Sequence, residues 1–294
     1  MDEIKTVLAV VCNRDDGEIV LEKAVHIARV NEAVLHVIRV VYEGFVDLSV
    51  HAVEKSRELK QFVMQAEEAF LEDLIDPWRN QLARLDSATV WHKSEWEAIL
   101  DSARELKADL IVKPTEYPVQ EVIRTPQDWN LLRHAEIPVM LVKPIAWPDH
   151  PRIAAAIDAT NKEEQAMNVR ILREAEQICH SLNGKLHVVS AFPSIEHWMG
   201  PITIAIDFEQ AREAVSNQIK HEVSLLAREC GVHIDEQHAL EGEPGTVIKR
   251  KLDELDAEIL VMGTRARHGV MGMVLGNTSE SIIHKINSDV IVLR

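Results

Sequence analysis

The chain has 294 residues, of which 46% are hydrophobic and 27% charged, and its formal net charge at pH 7 is −16. This length suits two domains better than one, and the composition is that of a globular protein. The acidic balance disfavours nucleic acid as a partner, because such binding depends on Lys and Arg that neutralise phosphates. No apolar run reaches the length of a membrane-spanning helix and the N-terminus lacks signal-peptide features, so we expect a cytoplasmic protein with no membrane partner.

Strand-like and helix-like patterns alternate along the first half. The predicted strands are Thr6–Val11, Val34–Val40, Thr89–Trp91, Ala108–Val112 and Pro138–Val142, and the predicted helices are Val20–Ala28, Val53–Leu82 and Glu97–Leu106. The strands are short, continuous apolar runs, as expected where both faces of a parallel sheet are covered. The alternation predicts an α/β fold with an open parallel sheet.

A connector with three prolines follows, at Pro144, Pro148 and Pro151. Proline cannot continue a helix or a central strand, so we place a domain boundary here, between residues 1–146 and 147–294. The same order of elements then begins again, with a predicted strand at Arg152–Asp158. A helix follows it, for which Asn183-Gly184 supplies the predicted stop.

The two halves can be aligned with each other. Leu35-His36-Val37 matches Leu186-His187-Val188 at an offset of 151, and Ala108–Val112 matches Ala257–Val261 at 149. The last strands, Pro138–Val142 and Asp289–Leu293, again match at 151. Offsets this constant over whole halves indicate a duplicated domain.

The loop after the strand-like run Glu258–Met262 has the composition of a phosphate-binding loop. It contains four glycines and three basic side chains before a helix-like segment near Thr278: Gly263, Gly269, Gly272 and Gly276, with Arg265, Arg267 and His268. Backbone N–H groups can approach an anion where glycine leaves room, and the N-terminus of the next helix adds unpaired N–H donors. The loop therefore reverses the chain's overall negative charge locally.

The spacing of this loop resembles the nucleotide loop of the universal stress protein family. That loop is usually Gly, two residues, Gly, nine residues, Gly and then Ser or Thr. Here Ala266 stands at the second glycine and Asn277 at the hydroxyl residue, with Thr278 one place later. If the second position needs a positive φ, Ala266 adds strain of roughly 1 kcal/mol.

The internal repeat and the segment Gly242-Glu243-Pro244-Gly245 extend the resemblance over nearly the whole chain, which is similar to tandem universal stress proteins of the E type. This resemblance implies two Rossmann-like or flavodoxin-like domains that pair about a pseudo-twofold axis. Each would contain an open five-stranded parallel sheet flanked by helices. It also implies ATP, with or without magnesium, bound between the end of the first strand and the loop after the fourth.

The resemblance and the loop composition give one set of candidate nucleotide-binding residues, all in the second half: Asp158, Gly263, Arg265, Arg267, His268, Gly276, Asn277 and Thr278. In the family an Asp at the place of Asp158 contacts the adenosine end of ATP. The alternative for Asp158 is that it caps the following helix. We predict no catalytic residue.

The first half lacks the features of this site. Its first strand ends Val10-Val11-Cys12-Asn13, with no carboxylate where the second half has Asp158. Pro114, which has no N–H, stands where the second half has Gly263. No glycine occurs in residues 115–129. We therefore predict that the first half binds no nucleotide and serves as a pseudo-symmetric partner.

Other ligand types receive little support from the sequence. The three cysteines, Cys12, Cys179 and Cys230, form no C-x-x-C pair, which argues against a disulfide framework or a zinc ribbon. The 14 histidines show no H-E-x-x-H spacing, and we expect His36 and His187 to be satisfied strand histidines. No metal site is predicted.

Three functions remain open at this point. The first is a stress protein that binds ATP in its C-terminal half and acts by binding or regulation, with an unidentified protein partner. The second is a slow ATP hydrolase, although no Walker motif or Ser/His/Asp set is present. The third is an adaptor that binds no nucleotide. The apolar stretch from Trp198 to Ile206 is predicted to be a contact surface, between domains or in a homodimer.

Overall fold

The structure is a computed structural model, and it describes residues 4–44, 53–115, 127–195, 207–264, 282–283 and 285–294. Contacts divide the chain into two compact units, one ending at Ala146 and the other beginning at Trp147. In the part of the chain that is described, no helix combines the length and apolar character needed to cross a membrane.

The described part of the first unit contains five strands and four α-helices. In chain order they are β1 (Thr6–Val10), α1 (Arg14–Val30), β2 (Val34–Val41), α2 (Val53–Ile75), β3 (Leu85–Trp91), α3 (Glu95–Leu106), β4 (Leu110–Pro114), α4 (Gln127–His134) and β5 (Val139–Val142). The strand order is β3-β2-β1-β4-β5, and every neighbouring pair is parallel. The predicted open parallel sheet is confirmed.

The second unit repeats this arrangement. Its described elements are β6 (Arg152–Ala156), α5 (Gln165–Ser181), β7 (Lys185–Phe192), α6 (Phe208–Cys230), β8 (Glu236–Glu241), α7 (Pro244–Leu255), β9 (Ile259–Gly263) and β10 (Asp289–Leu293). Its strands follow the order β10-β9-β6-β7-β8, again all parallel. If β6 to β10 are renumbered 1 to 5 within their unit, this order is 5-4-1-2-3. That is the first unit's order, 3-2-1-4-5, read in the opposite direction.

Burial explains why the central strands are continuous apolar runs. Val7, Leu8, Ala9 and Val10 of β1 are all fully buried. Helix α1 packs an amphipathic face against this sheet, with Val20, Leu21, Ala24 and Val25 inside. A central parallel strand has no solvent-facing side, so the sequence contains no polar alternation there.

Two helices differ from the prediction. Helix α2 ends at Ile75, and a 3₁₀ helix, Asp76–Gln81, continues in its place, because Pro77 lacks an N–H and cannot extend the α-helix. Helix α4 is not among the predicted helices. It buries Trp129, Leu131 and Leu132.

Helix α5 ends at Ser181, and Asn183-Gly184 supplies the predicted stop. Asn183 has a left-handed backbone, with φ of 50°, and the Gly184 N–H donates to the Cys179 carbonyl at 2.9 Å. Gly184 also allows close packing, because a Cβ there would lie 2.4 Å from the Pro151 carbonyl oxygen and 2.5 Å from Ile153 Cδ1. Any side chain would push β7 away from the start of β6.

Candidate functional site

The strand order places a reversal point in each unit, between β1 and β4 and between β6 and β9. In open α/β sheets, ligands bind in the crevice at the carboxyl ends of the strands at such a point. In the second unit, Asp158 lies two residues beyond β6, and Gly263 is the last residue of the neighbouring β9. The fold thus brings these two predicted site residues to opposite sides of the crevice.

Asp158 is half-buried and begins a turn after β6. Its Oδ1 accepts hydrogen bonds from the Thr160 N–H at 3.2 Å and the Thr160 hydroxyl at 2.7 Å. The side chain that caps the following 3₁₀ helix is Asn161, whose Oδ1 accepts from the Glu163 N–H at 3.0 Å. Helix capping, the alternative reading of Asp158, is therefore done by another residue.

Asn168 fixes the position of Asp158 and was missed by the sequence analysis. Its side chain is 3% exposed, donates to the Asp158 carbonyl at 2.8 Å and accepts from the Asp158 N–H at 3.1 Å. This two-bond clamp joins the fourth residue of α5 to the end of β6. A polar residue on the buried face of an amphipathic helix was the signal that could have identified it.

Gly263 makes room for a side chain of α5. A Cβ on this residue would lie 2.7 Å from Met167 Cγ and 3.0 Å from its sulfur. The next residue, Thr264, continues the pairing, since its N–H donates to the Leu293 carbonyl at 2.8 Å. The close approach of the Met167 side chain therefore explains why position 263 is a glycine.

The crevice between these residues is an open, mostly apolar cavity. Its lining includes the ends of β6 and β9, one face of α5 and the start of α7: Ala156, Asp158, Met167, Asn168, Pro244 and Gly263. Pro244 follows Glu243, whose carboxylate accepts hydrogen bonds from the Gly245 N–H at 3.0 Å and the Thr246 N–H at 2.7 Å. The segment Gly242–Gly245 therefore caps α7 at the rim of the cavity.

The other predicted site residues lie outside the described residues. They are the basic and C-terminal members of the loop, namely Arg265, Arg267, His268, Gly276, Asn277 and Thr278, together with Ala266. The apolar stretch from Trp198 to Ile206 also lies outside them. These assignments stay predictions.

In the first unit the same place is occupied by charged side chains. Lys113 is fully buried, and its Nζ donates to Asp128 Oδ1 at 3.0 Å and lies 3.9 Å from Glu95 Oε2. The Cys12 thiol donates to Glu95 Oε1 at 3.2 Å. Arg39 contacts the Cys12 carbonyl oxygen at 2.7 Å.

The centre of this cluster is the buried ion pair between Lys113 and Asp128. Burial raises the pKa of the Cys12 thiol far above its ordinary value, and the Lys113 ammonium opposes only part of that shift. The thiol is therefore neutral at pH 7. Lys113 occupies the fourth position of β4, where β9 has Met262.

The strand registers support the predicted equivalence of Pro114 and Gly263. Pro114 pairs with Val142, and Gly263 pairs with Leu293, the final residues of β5 and β10. The following threonines behave alike, because Thr115 donates its N–H to the Val142 carbonyl at 2.9 Å. The two positions occupy the same place in their sheets.

Comparison with known proteins places the chain in a family. The sequence model described as "Universal stress protein family" matches residues 3–143 and 151–294. The universal stress protein E homolog of Haemophilus influenzae is 30% identical over 251 residues, which cover 82% of this chain and 80% of that protein. Universal stress protein E of Photorhabdus laumondii is 26% identical, with 100% and 96% covered.

A solved structure agrees over the full length. It is a functionally unknown protein from Pseudomonas aeruginosa PAO1, 27% identical, with a TM-score of 0.73 and coverage of 99% of this chain and 92% of that one. Two family matches, each spanning one run of five parallel strands, also account for the constant offset between the halves. The chain belongs to the universal stress protein family and contains two of its domains.

Proposed function

We propose that the second unit binds an adenine nucleotide, ATP in the first place, and that the protein acts in stress response by binding and regulation. The observation that carries this proposal is the pair Asp158 and Gly263 on the two sides of the reversal point, with a cavity between them. Open α/β sheets bind ligands at this position.

The chemistry of the crevice suits the adenosine end of the ligand. A mostly apolar lining accepts a base, and the half-buried Asp158 carboxylate accepts hydrogen bonds from hydroxyl or amino groups. The basic, glycine-rich loop that follows β9 in the sequence is suited to the phosphates. Magnesium, a partner protein, a homodimer and a cytoplasmic location stay predictions.

The first unit is proposed to bind no nucleotide. The support is that Lys113, fully buried and paired with Asp128, stands where the second unit has Met262, a residue of the cavity lining. A ligand bound there would have to separate this buried ion pair. Breaking a buried pair costs about 3–5 kcal/mol. We therefore expect each chain to bind one nucleotide.

The test is the thermal stability of the full chain against an ATP series, with and without magnesium. A ligand that binds only the native state stabilises it, by about 2.7 kcal/mol at a concentration of one hundred times Kd. We expect a saturable upward shift of Tm in wild type. Gly276→Val should abolish the shift while leaving the ligand-free Tm little changed.

A matched pair of variants locates the site. Asp158→Ala should weaken ATP binding at least tenfold, whereas Cys12→Ala, the equivalent change in the first unit, should leave ATP affinity unchanged. Equal ATP affinity in wild type, Asp158→Ala and Gly276→Val would contradict the proposal. Phosphate release during the titration would instead indicate an ATP hydrolase, and no shift at millimolar ATP would indicate an adaptor without a nucleotide.

A further inference from the structure

A second polar cluster in the second unit lies away from the nucleotide crevice, on the two strands β7 and β8. It contains His187 of β7 and Glu236 and His238 of β8, and we name it the two-histidine cluster. The parallel register puts His187 directly opposite Glu236. Because side chains alternate along a strand, Glu236 and His238 share a face, so all three side chains meet on one side of the sheet.

The three potential ligand atoms lie at nearly equal distances. His187 Nδ1 and His238 Nε2 are 3.4 Å apart, and Glu236 Oε2 lies 3.8 Å from the first and 3.7 Å from the second. Two nitrogens that bind one zinc ion at about 2.0–2.1 Å in tetrahedral directions lie about 3.3–3.4 Å apart. The nitrogen–nitrogen separation matches this geometry, and the two distances to the carboxylate oxygen, 3.7 and 3.8 Å, are longer.

A direct hydrogen bond between the two ring nitrogens is the competing explanation, and the ring planes are only 15° apart. A bond between the two rings would explain their separation of 3.4 Å only as a long contact. The carboxylate distances, 3.7 and 3.8 Å, exceed the usual range of about 2.7–3.2 Å for hydrogen bonds of N–H to oxygen. A small ion between the three atoms would bring each of them into direct contact with a partner.

The state and surroundings of the rings are consistent with binding. His187 is 4% exposed, and its Nδ1 is the ring nitrogen that faces His238 and Glu236. Its other ring nitrogen, Nε2, makes no hydrogen bond among the described residues, whereas the sequence predicted a satisfied histidine. Lys251 also lies near, but its ammonium is paired with Glu254 at 2.5 Å.

The first unit provides an internal comparison. His36 and Asp86 occupy the places of His187 and Glu236, with their nearest atoms 3.4 Å apart. Ala88 stands at the place of His238, since it pairs with Ile38 as His238 pairs with Val189. The first unit therefore has two of the three ligands, and this metal site is expected only in the second.

We propose that His187, Glu236 and His238 bind a divalent transition-metal ion, with zinc as the best match to two imidazoles and one carboxylate. Zinc is usually four-coordinate, so the fourth position would be filled by water or an incoming ligand. The ion would tie β8, the last strand in the order β10-β9-β6-β7-β8, to β7. The site needs no nucleotide, and it opposes the prediction from sequence that the chain has no metal site.

The experiment is a zinc titration of the metal-free full chain by isothermal titration calorimetry without nucleotide. Wild type should bind one equivalent of zinc at its tightest site, and His238→Ala should lower the affinity of that site at least tenfold. His221→Ala removes an exposed histidine of α6 and should change nothing, which controls for weak binding by the other histidines. Zinc should also raise the Tm of wild type and not of His238→Ala.

A second variant guards against misfolding. Glu236 has a side chain that is 61% exposed, so Glu236→Gln should keep the metal-free Tm of wild type and still weaken zinc binding. Equal zinc affinity in wild type, His238→Ala and Glu236→Gln overturns the proposal. The proposal is also overturned if wild type has no zinc site that is tighter than the zinc sites remaining in His238→Ala.

Discussion

The two units have the same strand order and first helices of the same length, yet different side chains lie at the reversal point. In the second unit, Asp158, Asn168 and Gly263 border an open cavity. In the first, Lys113 stands where the second unit has Met262 and forms a buried ion pair with Asp128. A parallel sheet leaves a crevice there, which has to be occupied by a ligand, by solvent or by the protein's own side chains. The comparison teaches that fold and site vary separately.

The largest expected effect is on the free energy of unfolding, through the buried ion pair of Lys113 and Asp128. Asp128→Ala would leave the fully buried Lys113 ammonium without its closest carboxylate, so the free energy of unfolding should fall by about 3–5 kcal/mol. Changing Lys113 to Met in the same chain, which supplies the residue type of Met262, should restore most of it. Urea denaturation of both variants measures this, and a loss below about 1 kcal/mol for Asp128→Ala contradicts the structural role of the pair.

The next effect concerns Glu174 in α5. It is the tenth residue of its helix, the position that Lys23 holds in α1. Burial raises the pKa of Glu174 from 4.5 to about 7, although Arg170 opposes the shift. Between pH 4.5 and 7, the Glu174 carboxyl keeps its proton in the folded state and has lost it in the unfolded state. Stability should therefore fall as pH rises from 4.5 to 7, by roughly 3 kcal/mol in total.

Glu174→Gln removes this titration. Its free energy of unfolding should lack that fall, so that the variant is more stable than wild type above pH 7 and gains little below pH 4.5. Denaturation midpoints at several pH values give the comparison. Parallel pH profiles for wild type and variant would show that Glu174 titrates normally in the folded protein.

A smaller effect is expected at the clamp on Asp158. Asn168→Ala removes two hydrogen bonds to the Asp158 backbone and should cost about 1–3 kcal/mol. The first unit has Gly17 at this place in its helix, so the clamp is specific to the second unit. If the clamp positions Asp158, ATP affinity should fall as well. Unchanged affinity in a destabilised variant would limit Asn168 to a structural role.

The smallest effect tests the fit of Met167 over Gly263. Gly263→Ala places a Cβ 2.7 Å from Met167 Cγ, and a flexible side chain can shift, so we expect a loss of about 1 kcal/mol. The loss should largely disappear in a Met167→Ala background, as a double-mutant cycle of Tm values would show. An equal loss in both backgrounds would assign the effect to the backbone instead.

Much of this protein could be predicted from its sequence. Continuous apolar runs such as Val7–Val10, short and rich in β-branched residues, favour strands covered on both faces, and a constant offset between halves indicates two similar domains. The pattern also predicts Asp158 as the last residue of the first strand in the second half, and the structure places it two residues beyond β6.

Tertiary structure decided the contacts between residues that are distant in the sequence. The clamp by Asn168, the space that Gly263 leaves for Met167 and the pairing of Lys113 with Asp128 all depend on how helices lie over the sheet. The two-histidine cluster depends on the register that sets His187 opposite Glu236, 49 positions later in the chain. Periodicity in a single sequence reports which face a side chain occupies, but only pairing between elements decides which side chains meet.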